Sequence, residues 1–573
     1  MLGFIICALP AAVLAEERVK IQADWRLDGR EMTFPRELRQ VNASDSLFNR
    51  QHAYIYQELF SEGFFGGSVD SVSIRENSGR VTFFASRGCR HRIETFDIHL
   101  TGEPDDQKAS ILNDFSPFIT SGSYFSGSRI ESEINRMIRH WENEGYMLVR
   151  VVVEEPQPDI NECIVDVRLN IDTGPQIRVD GFILPELQRN NPDYIKTASG
   201  VRKGMLVTPN LLRDAQLNLD NTGLFEDVEQ PQIAFNDGEY LLYFGIEEAR
   251  TNMFDALIGY VPRPQDGNTI VGTGQLMLRN ALFDGSTINI RFERLQELVT
   301  RLDLSYDMSW IAGLPIGAGA HFNFIQQDST YQVRNFGLNG RYSLSASTEI
   351  IGSLRIEAAS ANRITGQPIR ELDSNALFAG LGVEYRRTDS RRNPTRGLHG
   401  RVLVETGVKR ITDDRIGDFT DKRRVSQQEI TGFLRGYINP FRRHIIAPSM
   451  HGYIMISDIF TEVDLNRFGG AHSFRGYRED QFQSSRMLWG DVEYRYLLDR
   501  FSHAFVFGAF GYYERPRLVF EFENSLKINE WLYSWGIGFQ YNTPIGTMQF
   551  TYAISADDDL ANGKVHFGIT SGF

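Results

Sequence analysis

Two patterns of apolar and polar positions divide the chain. From about Asn252 onward, apolar and polar residues alternate one for one over long segments. In Arg301–Trp310, Leu302, Leu304, Tyr306, Met308 and Trp310 take one parity, and Arg301, Asp303, Ser305, Asp307 and Ser309 take the other. Ile288, Ile290 and Phe292 alternate likewise with Asn289, Arg291 and Glu293. Side chains in a strand point to opposite faces with a period of two, so each segment predicts one greasy face and one charged face. A β-sandwich also alternates, but its strands run to about 5–6 residues, shorter than these. Counting such segments to the C-terminus predicts sixteen strands over residues 252–573. An even number suits a closed antiparallel barrel with lipid outside and a watery lumen.

Before Asn252 the period changes. Ile130, Ile134, Met137, Ile138 and Trp141 fall on one helical face, with Arg129, Glu133, Arg136 and Glu142 expected away from it. The helix ends at Gly145, and strands are predicted over Met147–Glu154 and Cys163–Asp172, joined by a polar turn with Pro156 and Pro158. A strand at Ile93–Leu100 and a short helix near Gln107–Phe115 precede them. The same mark, an apolar helix residue followed four positions on by glycine and two apolar residues, recurs three times. It reads Leu59 to Gly63-Phe64-Phe65, Trp141 to Gly145-Tyr146-Met147 and Leu219 to Gly223-Leu224-Phe225, at intervals of 82 and 78 residues. A β-α-α-β-β unit repeated in series is predicted, over 19–89, 91–173 and 175–249.

Composition narrows the class. No run approaches the ~18–20 consecutive apolar residues of a helical membrane span, and 51 glycines with 12% aromatic residues accord with a barrel. Residues 1–15 form a short apolar segment ending Val13-Leu14-Ala15, expected to be a cleaved signal peptide. A formal net charge of −14, without any basic cluster, argues against a nucleic-acid partner. Beyond the leader two cysteines remain, Cys89 and Cys163. Exported into an oxidising compartment they could pair, yet they fall in different predicted modules, and two unpaired structural cysteines fit as well. Cys89 and His91 on one strand are too few ligands for a metal. The chain contains no G-x-S-x-G, no H-E-x-x-H and no phosphate-cradling glycine loop, so no enzyme activity, cofactor or metal is expected.

Three stretches carry a family resemblance. Phe474-Arg475-Gly476-Tyr477, in a long loop between the eleventh and twelfth segments, resembles the VRGF/Y motif of the sixth extracellular loop in the BamA/TamA superfamily of outer-membrane insertases and transporters. Asp389 to Gly397 resembles the family's D-x-R-x-N-P…R-G turn, and Thr543-Pro544-Ile545-Gly546 its T-P-[IV]-G turn. The repeats resemble polypeptide-transport-associated (POTRA) modules, and the C-terminal strand ending in Phe573 resembles the signal by which outer-membrane barrels are recognised.

The resemblance implies α+β periplasmic POTRA repeats followed by a 16-stranded transmembrane barrel. It also implies that the loop folds into the lumen and locks there. A buried guanidinium needs carboxylates. Asp491, Glu493 and Arg495 share the inward parity of the next segment, so Glu493, then Asp491, are the expected partners of Arg475. The aspartate that the family places on the following strand is replaced in Phe507-Gly508-Ala509-Phe510-Gly511 by Ala509. A lateral seam is expected between the first strand, near Asn252–Arg263, and the last, Lys564–Phe573, loosened by Gly259, Pro262 and Gly568. Through it, and through POTRA edges, client β-proteins would be inserted or exported. Three repeats favour a TamA-like insertase; the rivals are a two-partner secretion transporter passing one exoprotein through the lumen, and a passive porin. Expected partners are unfolded outer-membrane or secreted clients, outer-membrane lipid, and a periplasm-spanning TamB-like subunit or BAM-type lipoproteins.

Overall fold

The computed structural model describes residues 20–42, 45–75, 80–102, 105–249, 251–261, 269–296, 299–327, 330–362, 371–391, 393–418, 420–471, 473–521, 527–543, 546–556, 558–559 and 562–572. The leader 1–15, Pro262, Pro544, Ile545 and Phe573 lie outside the described residues. The chain forms two compact units. One runs to Arg178 and takes in Leu206–Pro209; the other comprises Val179–Met205 and Asn210–Phe573.

The three glycine marks are helix ends of one kind. Gly63, Gly145 and Gly223 have φ of 88°, 85° and 67°, the left-handed conformation that terminates a helix at little cost only for glycine. At Gly145 the amide donates to Glu142 O at 3.0 Å and the next amide, Tyr146 N, to Trp141 O at 3.1 Å. Each mark closes a helix that packs on a sheet whose opening and closing strands run parallel. These pairs are Lys20–Leu27 with Arg80–Ser86, Arg92–Leu100 with Ile164–Asp172, and Gly181–Ile183 with Glu239–Tyr243.

In the middle module Ile130, Met137 and Trp141, on the helix Gly127–Asn143, are buried against Val165, Val167, Leu169 and Ile171. Glu133 departs from its expected place on the polar face. It is buried, accepting from Phe118 N at 3.1 Å and from Arg136 Nη2 at 2.5 Å, so the loop before the helix covers that flank. The stretch with Pro156 and Pro158 is also more than a turn, since Gln157–Asp159 pairs with the closing strand.

Cys89 and Cys163 are disulfide-bonded, so the unpaired alternative is excluded. The bond ties the end of the first repeat to the turn before Ile164–Asp172. Around it His91 N donates to Gly63 O at 2.9 Å, and the Phe65 ring meets His91 and Phe125 edge-on. A cross-link closing 74 residues stabilises by on the order of 4 kcal/mol in the chain-entropy model. Replacing both cysteines by serine in the full chain is therefore expected to make this junction the first site of proteolytic cleavage on warming. An unchanged cleavage order would contradict that.

The remaining strands close a barrel of sixteen antiparallel neighbours. Its outer face is apolar: Leu377, Leu381 and Val383 on the eighth strand, Ser374–Thr388, and Trp531, Trp535 and Ile537 on the fourteenth, Ile528–Thr543, are exposed. The opposite parity faces the lumen and carries the charge. Arg355 there pairs with Glu357 and Glu405, both at 3.3 Å, and with Glu429. Among the described residues no helix is long and apolar enough to cross a membrane; the strands do so.

Candidate functional site

Between the eleventh strand, His444–Ser457, and the twelfth, Arg486–Leu497, the chain enters the lumen. A short hairpin, Asn466–Phe468 paired with Phe482–Ser484, carries a tip at 469–481. At the tip Arg475 Nη1 donates to Glu493 Oε1 at 2.7 Å and Nη2 to Asp491 Oδ2 at 2.9 Å. Planar fork geometry lets one guanidinium satisfy two carboxylates. Its face lies 3.8 Å from the centroid of the Phe507 ring. The second oxygen of Glu493 accepts from Arg495 Nε at 2.7 Å, and Asp491 also accepts from Ser449 Oγ. All three charged side chains are nearly dry, at 13% exposure for Arg475, 9% for Asp491 and 11% for Glu493.

The neighbours of Arg475 seat the tip. Phe474 is fully buried and meets Trp489 edge-on at 5.7 Å. Gly476 has φ of 96°, and a Cβ there would lie 2.8 Å from Ser534 Cβ and 3.2 Å from Ile554 O. Tyr477 Oη donates to Tyr533 O at 3.2 Å. Ala509, on the thirteenth strand where the resemblance implies an aspartate, pairs directly with Asp491 and joins the apolar cluster around Phe474. The lock thus rests on the twelfth strand, whose two carboxylates take the two guanidinium nitrogens. Asp480, missed by sequence reasoning, adds an ion pair to Arg301 on the fourth strand, Val299–Met308. Alternation put Arg301 inward, but nothing local marked its partner.

At the seam the first strand, Met253–Val261, meets the last, Lys564–Gly572, in the register Met253↔Gly572 and Phe254↔Ser571 among the described residues. Each has a fuller ladder on its other side: nine pairs join the first strand to the second, and seven join the fifteenth to the last. Gly259 pairs with Val271 and Gly568 with Gln549, so neither glycine contributes to the described seam register. A Cβ at Gly568 would meet open space.

The family-like turn 389–397 is built on its aspartate, which accepts from Thr395 N at 2.8 Å and Arg396 N at 3.0 Å. This turn and its neighbours hold the third module. The C-terminal carbonyls of its helix Pro209–Thr222 are capped from the barrel rim. Arg279 Nη1 donates to Gly223 O at 2.7 Å and Thr222 O at 3.2 Å, and Arg391 donates to Asn221 O. Cations at a helix C-terminus satisfy unpaired carbonyls and oppose the negative end of its dipole. Arg500 pairs with Asp227, and Asn280 Nδ2 donates to Asn190 Oδ1 at 2.8 Å. Arg279→Ala is expected to loosen this docking by about 1–3 kcal/mol. Faster hydrogen exchange in 209–224, with the barrel strands unchanged, would register it, and unaltered exchange would refute it.

A cavity of about 1400 Å³ joins these parts, lined by Asp220 and Arg279 at the rim, Arg475 on the loop, and Met253, Phe567 and Gly568 at the seam. Its walls belong to a barrel, a lumen loop and an N-terminal module, the anatomy of an outer-membrane protein-transport barrel with periplasmic POTRA modules. The Omp85 superfamily domain matches residues 280–573, just over half of the chain, and the chain belongs to that superfamily.

No curated protein matches the chain. Among solved structures it is similar to CdiB from Acinetobacter baumannii, at 14% identity over 95% of this chain and 100% of that one, with a TM-score of 0.51. It is also similar to BamA from Haemophilus ducreyi lacking POTRA domains 1–3, at 15% identity over 83% and 99%, with a TM-score of 0.45. CdiB from Escherichia coli matches at 10% identity over 92% and 98%, with a TM-score of 0.49.

Proposed function

We propose that this protein is an insertase for client β-proteins, with three POTRA modules in a TamA-like organisation, and that clients leave through the seam between its first and last barrel strands. The short register at Met253↔Gly572 and Phe254↔Ser571 carries the reading. Among the described residues few ladder bonds hold that edge, and unpaired backbone there would accept an added strand whatever its side chains. The cavity leads from the third module to the same edge, so a client delivered from the periplasm meets it directly. No step in this scheme requires bond chemistry, a cofactor or a metal. A TamB-like subunit or BAM-type lipoproteins are the accessory partners it anticipates.

Photo-cross-linking groups at Phe254 and Phe567, both exposed, test the reading in intact cells. Capture of several outer-membrane β-proteins at both positions is expected. Capture of one large exoprotein, from lumen positions and not from the seam, would replace the insertase with a two-partner secretion transporter.

A further inference from the structure

The lumen loop has a second ion pair at its root, far drier than the one at its tip. On the ninth strand, Gly397–Ile411, lumen parity carries Glu405 and Lys409. Lys409 Nζ donates to Thr461 Oγ1 at 2.8 Å and to both oxygens of Asp464 at 2.9 Å, so its three protons meet three acceptors. Asp464 also accepts from Gln427 Nε2 at 2.7 Å, from Thr461 N at 2.8 Å and from Thr461 Oγ1 at 2.9 Å. Both members of the pair are only 2% exposed. Beside them the buried Glu371 carboxylate accepts from Val463 N and Leu372 N, each at 3.0 Å. The turn Glu462–Asp464 is thereby tied to the barrel wall and to the loop between strands seven and eight.

Root and tip differ in what reaches them. Arg475 lines the large cavity, so water or a client arriving there meets the tip pair. Lys409 and Asp464 do not line it. Between the two lie Gly469 and Gly470, with φ of 114° and 99°, a joint where the backbone already uses conformations other residues resist.

We propose that Lys409 and Asp464 form a root latch that holds the base of the lumen loop on the barrel wall, so that the tip leaves Asp491 and Glu493 without opening the outer end of the lumen. Lys409 acts here as a positioning residue. The proposal shares the loop with the proposed function but does not depend on the seam, so each fails separately.

Single-channel conductance of folded barrels tests it, folding being checked by heat-modifiable migration in detergent. Lys409→Met strands a dry carboxylate and is expected to raise conductance at least about threefold, whereas Arg475→Ala alone changes it by less than about twofold. Equal opening by Arg475→Ala, or a folded Lys409→Met barrel with unchanged conductance, would overturn the latch.

A second arm does not require the Lys409 variant to fold. Gln427→Cys and Asp464→Cys, joined by a disulfide or a short bis-thiol linker, replace the latch covalently. In an Arg475→Ala background a photo-cross-linking group at Tyr477, whose hydroxyl meets Tyr533 O on the fourteenth strand, then reports the tip. Loss of its wild-type cross-link to the lumen wall by about fivefold or more, with the root still joined, is the expected result. Retention of that cross-link whenever the root is joined would show that root and tip move as one and overturn the proposal.

Discussion

Replacing Arg475 by alanine is expected to release the loop tip and lower the temperature at which the barrel loses its detergent-resistant fold. The change leaves Asp491 without its guanidinium in a nearly dry site, while Glu493 keeps Arg495. Removing one partner of a buried ion pair costs about 3–5 kcal/mol. The lost stacking on Phe507 adds about 0.5–2 kcal/mol. Arg475→Lys is expected to recover less than half of the loss, because a single ammonium cannot reach both carboxylates in fork geometry. Full recovery by lysine would mean that charge alone matters and that the two-carboxylate geometry is incidental. The discriminating measurements are heat-modifiable migration and protease sensitivity of 469–481.

Much of this was legible in the sequence because its physics is periodic. Alternation sustained over ten or more residues, in sixteen segments longer than the usual strands of a sandwich, is the signature of a barrel with one face on lipid and the other on a watery lumen. The same parity put Asp491, Glu493 and Arg495 on one face, and a loop arginine folded inward meets that face. Gly63, Gly145 and Gly223 were readable because a helix end in the left-handed conformation selects glycine whatever the fold.

What was not legible depends on residues that only tertiary structure brings together. Cys89 and Cys163 lie 74 positions apart, and only packing between two repeats brings their backbones to bonding distance. Glu133 follows the helical period of the polar face, and a loop folded over it reverses its exposure. Lys409 and Asp464 are 55 residues apart, one on a strand and one in a loop. The available signal was a lysine on lumen parity, which requires a partner without naming it. The seam register was hidden for a different reason: it joins the two ends of the barrel sequence, where no turn fixes the pairing.

The central claim is that the first and last strands separate to pass a client. Phe254→Cys with Ser571→Cys places a thiol pair across the described register, and a disulfide there replaces weak backbone pairing with a covalent closure. Each ladder bond contributes only about 0.5–1.5 kcal/mol, so the two pairs among the described residues hold the edges weakly, and a disulfide would keep them from separating. The direct measurement is delivery of the clients captured at Phe254 and Phe567 into the outer membrane, followed with the bond formed and then reduced. The account predicts loss of delivery by more than about tenfold when oxidised and recovery on reduction. Delivery that proceeds equally well through the cross-linked barrel would contradict it.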